Sequence, residues 1–143
     1  MLQAVVRAAV LAVLFTLPLA GCGGSDATDA GAAAKAYVHA LGKRDGKDVC
    51  AHMTKALQKR FSSAVTFANP DLTGDCARLM QASIDSVPAE QLAQFSAASI
   101  RNVKVKGSSG TFTYTLKTAK VDGRVAKEDG SWKVSCCVPG QDG

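Results

Sequence analysis

His39 and His52 are the side chains in this chain best suited to move a proton or hold a metal near neutral pH. Read as helical, each points away from the apolar face of its own segment. For His39 that face is Ala34, Tyr37, Val38 and Leu41; for His52 it is Cys50, Met53, Leu57 and Phe61. Both are therefore expected in solvent, with no ligand or catalytic role. Asp71 and Asp75, in NPDLTGDC, suggest a cation loop. An EF-hand needs oxygen ligands at alternating positions and a later bidentate glutamate, and neither is present. A loop turn and a helix cap are the expected uses. No phosphate loop, G-x-S-x-G elbow or H-E-x-x-H occurs, and no serine has a recognisable base near it. The expectation is a protein with no catalytic residue, no metal site and no cofactor.

Cysteine offers different chemistry. The chain opens MLQAVVRAAVLAVLFTLPLAGC, with Arg7 ahead of an apolar run in which only Thr16 is polar. At about 13 residues the run is shorter than the roughly 20 that a spanning helix needs, and it suits a secretory signal. Small residues Ala20 and Gly21 precede Cys22, as a cleaving peptidase requires. Leu19-Ala20-Gly21-Cys22 resembles the bacterial lipobox at every position. The resemblance implies a diacylglycerol on the Cys22 sulfur, cleavage between Gly21 and Cys22, and Cys22 as the acylated N-terminus. The protein is then expected on the outer face of the plasma membrane, in contact with the membrane through this lipid. Acyl chains contribute about 0.8 kcal/mol per buried methylene, so two or three of them hold a small domain firmly.

Removing residues 1–21 leaves 122 of the 143 residues, enough for one domain with a single core. Loss of Arg7 takes the net charge from +5 to +4. That favours solubility and mild attraction to anionic surfaces. The basic residues are dispersed and lack an accompanying aromatic run, so nucleic acid is not an expected partner.

Four cysteines remain: Cys50, Cys76, Cys136 and Cys137. An even count behind an export signal reads as disulfides, with three pairings possible. No C-x-x-C pair exists, which argues against a zinc ribbon or a thioredoxin-type site. Cys50 and Cys76 each lie on the apolar face of a helical segment, so a Cys50–Cys76 bridge is the favoured pairing. Cys136 shares a strand face with Trp132 and Val134 and is expected to point into the core. Alternation sends Cys137 to the other face, leaving these two as a vicinal pair or free.

The elements follow from periodicity. Residues 27–41 place Ala30, Ala33, Ala34, Tyr37, Val38 and Leu41 on one helical face, with Gly42 as the stop. Asp45 caps a second helix in which Val49, Cys50, Met53, Leu57 and Phe61 share a face. A third begins after Asp75 and closes at Pro88, and residues 89–95 add a short turn or two. The period then changes to two. Val103 and Val105 form one strand, then come Phe112, Tyr114 and Leu116, then a weaker strand over 121–127. A last strand runs through Trp132, Val134 and Cys136, with turns at GSSG and EDGS. The expected class is α+β, with N-terminal helices packed on a curved antiparallel sheet of about four strands. The expected organisation is a signal segment 1–21, a flexible tether 22–30, a single domain 31–139 and a tail 140–143.

The pieces AAAKAYVHALGKRDGKDVCAHM and GTFTYTLKTAKVDGRVAKEDGSWKVSCC resemble small bacterial lipoproteins with a nuclear transport factor two-like, cystatin-like domain. The resemblance implies a cone, with the sheet wrapped around the long first helix. Some members of that superfamily are isomerases or dehydratases that use Tyr, Asp or His inside the cone. Tyr114 is placed to face such a pocket with Phe112 and Leu116, and Asp85 would be the acid to approach it. A core tyrosine with its hydroxyl at the rim is the simpler expectation.

The leading functional expectation is non-enzymatic binding of a small apolar ligand or an envelope partner. The alternatives are a protein-binding accessory domain without a pocket and an isomerase-like enzyme.

Overall fold

Alanine-rich sequence after residue 24 favours a helix, and its larger apolar side chains recur every three or four residues. In the computed structural model, which describes residues 24–117 and 119–136, this becomes helix α1 (Gly24–Gly42). Ala30, Ala34, Tyr37, Val38 and Leu41 are all buried along it. The helix begins three residues before the 27–41 span read from periodicity and takes in residues 24–30 of the expected tether. The reason lies in its first turn, where Asp26 accepts hydrogen bonds from Lys127 Nζ (3.0 Å) and Trp132 Nε1 (3.4 Å). The signal segment, Cys22, Cys137 and the tail lie outside the described residues.

Gly42 ends α1 where a Cβ would fall on the backbone of Ser96. Asp45 then caps α2 (Gly46–Ala51) by accepting from the Asp48 N–H at 2.9 Å. The single helix expected from Asp45 through Phe61 is in fact two, α2 and α3 (Lys55–Ala68). The break is at Met53–Thr54, where the backbone pairs with a strand instead. Thr54 N–H donates to Val134 C=O (2.9 Å) and Val134 N–H to His52 C=O (2.8 Å). The Thr54 hydroxyl restarts the helix by accepting from the Leu57 N–H at 3.2 Å. Asp75 caps α4 (Cys76–Asp85) through the Arg78 N–H at 2.9 Å, as the sequence indicated. At the other end of α4 the Arg44 guanidinium donates to the carbonyls of Val87 (3.1 Å) and Ile84 (3.3 Å). Helix α5 (Ala89–Ser96) follows Pro88.

The strands are β1 (Ser99–Lys106), β2 (Ser109–Thr115), β3 (Lys120–Glu128) and β4 (Ser131–Cys136). They form one antiparallel meander in sequence order, so the fold is α+β with five helices and a four-stranded sheet. Two irregularities bend it. Between Arg101 and Lys104 two residues of β1 oppose one of β2, with Asn102 at φ 53°. In β4, Val134 pairs with Val125 but Cys136 pairs with Arg124, leaving Ser135 unmatched.

That second bulge corrects the expectation for Cys136. Regular alternation would have buried it beside Trp132 and Val134, yet it lies opposite the exposed Arg124 and is half-buried. Cys136 is disulfide-bonded, which sets aside the expectation of a free thiol there. The Cys50–Cys76 bridge is present as expected. It ties α2 to the first residue of α4 with Cα atoms 6.1 Å apart.

Candidate functional site

The inward sides of the helices and the sheet fill one another. Tyr37, Val38, Met53, Leu79, Phe112, Tyr114, Val125 and Val134 are each no more than 2% exposed. Phe112 and Tyr114 were considered with Leu116 as a possible pocket lining, a core tyrosine with its hydroxyl at the rim being the simpler expectation. Their rings pack in the core, 6.2 Å apart, with Phe95 6.3 Å from Tyr114 on another side. Phe112 is held there by Gly123, directly opposite on β3. A Cβ at Gly123 would fall on the Phe112 ring. Burial, with the neighbouring Tyr114 as the lesser cause, pushes the Tyr37 phenol well above its ordinary range. It stays protonated and unreactive at any physiological pH.

Leu116 does reach a concave surface. At the end of the sheet where β2 finishes, α3, α4 and α5 line an apolar groove of about 530 Å³. Each element contributes one edge of its apolar stripe. Phe61 and Val65 come from α3, Met80 and Ile84 from α4, Leu92 and Phe95 from α5. Leu41, Val87 and Leu116 complete the apolar lining, and Ser83, Gln91 and Gln94 are its polar members. Among the described residues, none that lines it carries a charge. The Ser83 hydroxyl is used within α4, donating to Leu79 C=O at 2.9 Å. The Gln94 amide donates to Gln91 C=O at 2.8 Å. Such a surface can hold an uncharged apolar molecule, and the groove itself offers no acid, base or nucleophile.

The residues first considered for chemistry lie elsewhere. His39 is half-buried on α1, with Nε2 3.4 Å from Ala98 O. His52 is half-buried at the end of α2, 3.4 Å from Asp48. Neither is as fully solvated as the helical projection implied, because α1 packs on the α5–β1 connection and α2 ends against β4. Asp85 is 3.7 Å from Arg44 at the exposed end of α4 and accepts from Gln81 at 3.0 Å. Asp71 is exposed. Among the described residues no group of three or more His, Cys, Asp or Glu is placed to hold a metal ion.

Of the lining residues, sequence reasoning placed Leu41 and Phe61 on apolar helical faces and did not single out Val65. No protein-family model, curated protein or solved structure matches this chain.

Proposed function

We propose that this chain is a lipid-anchored extracytoplasmic binding domain, held by an acylated Cys22 at the outer face of the plasma membrane. Its groove takes a small, uncharged, apolar ligand that it binds without transforming. The observation that carries this reading is the groove, about 530 Å³ in volume, whose twelve lining residues among those described include none that is charged. That volume lies within the range of small-molecule sites, which are mostly apolar with a few polar groups to orient the ligand. Gln91 and Gln94 are suited to that orienting role. An isomerase-type reaction would need an acid at the bound molecule, and Asp85 is engaged with Arg44 instead.

A second reading, docking of an envelope protein, is favoured by Phe67. It is 91% exposed in the last turn of α3, two residues beyond the groove-lining Val65. Titration with the neutral fluorophore phenylnaphthylamine separates the two. Ligand binding predicts saturable, single-site fluorescence enhancement. It also predicts at least about tenfold weaker binding for Leu116→Lys, because an unpaired ammonium in an apolar site costs well over 1 kcal/mol. Absence of binding, or binding unaffected by Leu116→Lys and abolished by Phe67→Ala, would sink the ligand reading in favour of a protein partner.

A further inference from the structure

We infer that the two hairpin tips at one end of the sheet rest on anionic phospholipid headgroups, so that the apolar groove opens on the side facing away from the bilayer. The inference rests on the proposed acylation of Cys22. Covalent geometry supplies the first part. Consecutive Cα atoms are 3.8 Å apart, so Cys22 lies within about 8 Å of Gly24, where α1 begins. No long tether separates the anchor from the domain, and the first turn of α1 must sit close to the headgroups.

The fold determines what else is brought there. Asp26, in that first turn, bonds Lys127 and Trp132 and so fixes the β3–β4 hairpin beside it. Lys127 N–H in turn donates to Ser108 C=O at 2.8 Å, which brings the β1–β2 turn alongside. Helix α1 then leads away from this end. Gly31 meets Val103, His39 approaches Ala98, and Gly42 abuts Ser96. Its length is about 27 Å at 1.5 Å per residue, and Leu41 in its last turn lines the groove. Anchor and groove are therefore at opposite ends of the domain.

Charge supplies the second part. At the hairpin end three acids are each paired with a lysine: Asp129 with Lys55 (3.0 Å), Asp26 with Lys127 (3.0 Å) and Glu128 with Lys133 (3.8 Å). Lys104, Lys106 and Arg124 are exposed and pair with no acid among the described residues. Lys104 and Arg124 share one row across the sheet with Thr111, and Lys106 begins the turn. Exposed Asp29 on α1 and exposed Asp122, which lines one hollow with Lys104 and Arg124, offset two of these charges, and the remaining positive excess complements an anionic headgroup layer. The ligand consequently enters the groove from the aqueous side and not from the bilayer that holds the anchor.

Trp132 is the single tryptophan and lies beside Asp26, so it reports on the hairpin end. A W132F/F67W variant moves the reporter to the last turn of α3, about 18 Å along a helix whose first residue bonds the β3–β4 turn. The full acylated protein, extracted from membranes, is reconstituted into phosphatidylglycerol–phosphatidylcholine vesicles that carry a headgroup-spin-labelled lipid. Quenching of Trp132 is expected to be several-fold stronger than quenching in W132F/F67W. The difference should shrink in K104Q/K106Q/R124Q and on pure phosphatidylcholine. Equal quenching of the two reporters, or a difference insensitive to both changes, overturns the orientation while leaving acylation standing. An intact mass without the acyl addition at Cys22 removes the anchoring reading itself, and the orientation with it.

Discussion

Replacing Cys50 and Cys76 together by alanine removes the one covalent link between α2 and α4. The bridged residues are 26 apart in sequence. Treating the closed loop as about 26 residues, the chain-entropy model gives roughly 12 cal/mol/K, or about 3.5 kcal/mol at 25 °C. Both cysteines are buried, at 5% and 9% exposure, so loss of the sulfurs adds a small packing penalty in the same direction. Against a total stability of about 5–15 kcal/mol for a domain of this size, the bridge is a large share. A loss of 3.5 kcal/mol corresponds to a fall in Tm of roughly 15 °C or more. Circular dichroism during heating and during urea titration measures both consequences of the model. Tm and the urea midpoint should fall, and the urea m-value should rise because the uncrosslinked denatured chain exposes more surface. A Tm shift below about 5 °C, corresponding to roughly 1 kcal/mol, would refute the reasoning that the bridge acts by restricting the unfolded chain.

Thr54→Ala removes the cap that restarts the helix after the β4 pairing and is expected to cost about 1 kcal/mol, with Thr54→Ser restoring most of it. Matched urea midpoints for wild type and Thr54→Ala would show that the hydroxyl contributes nothing. Asp26 is held below its ordinary carboxylate value, first by its bond to Lys127 and then by its bond to Trp132. Its charge therefore contributes stability that is complete above the ordinary aspartate value of 3.8 and lost as pH falls through the lower folded value. Asp26→Asn should be less stable than wild type near neutrality, with the gap closing in strong acid. A gap independent of pH would contradict this.

Much of the fold could be read from spacing because the apolar side chains recur with the period of their own segment. The α1 stripe of Ala34, Tyr37, Val38 and Leu41 has helical period, and β2 alternates through Phe112 and Tyr114, so each element announced itself locally. The Cys50–Cys76 pairing was legible for the same reason, since both sulfurs sit on apolar faces. The features that were missed depend on partners distant in sequence. The break at Met53–Thr54 exists because Val134 offers hydrogen bonds there, and nothing in residues 46–61 announces that strand. The unmatched Ser135 in β4 turned Cys136 toward Arg124. The beginning of α1 was hidden because GGSDATDAG reads as a linker until Lys127 and Trp132 are known to hold Asp26. The groove is assembled from five separate segments, so only Leu116 was legible in it, and the two aromatic residues grouped with Leu116 were sent into the core by their own size.

The claim that this is an anchored domain with an apolar ligand in the groove is tested most directly by native mass spectrometry of the full chain extracted from its own membranes. A covalent diacylglycerol-sized addition that maps to Cys22 is expected. Also expected is an apolar molecule, released on unfolding, in wild type and missing from Leu116→Lys. A chain with Cys22 unmodified, or one that carries no releasable molecule in wild type, would contradict the claim.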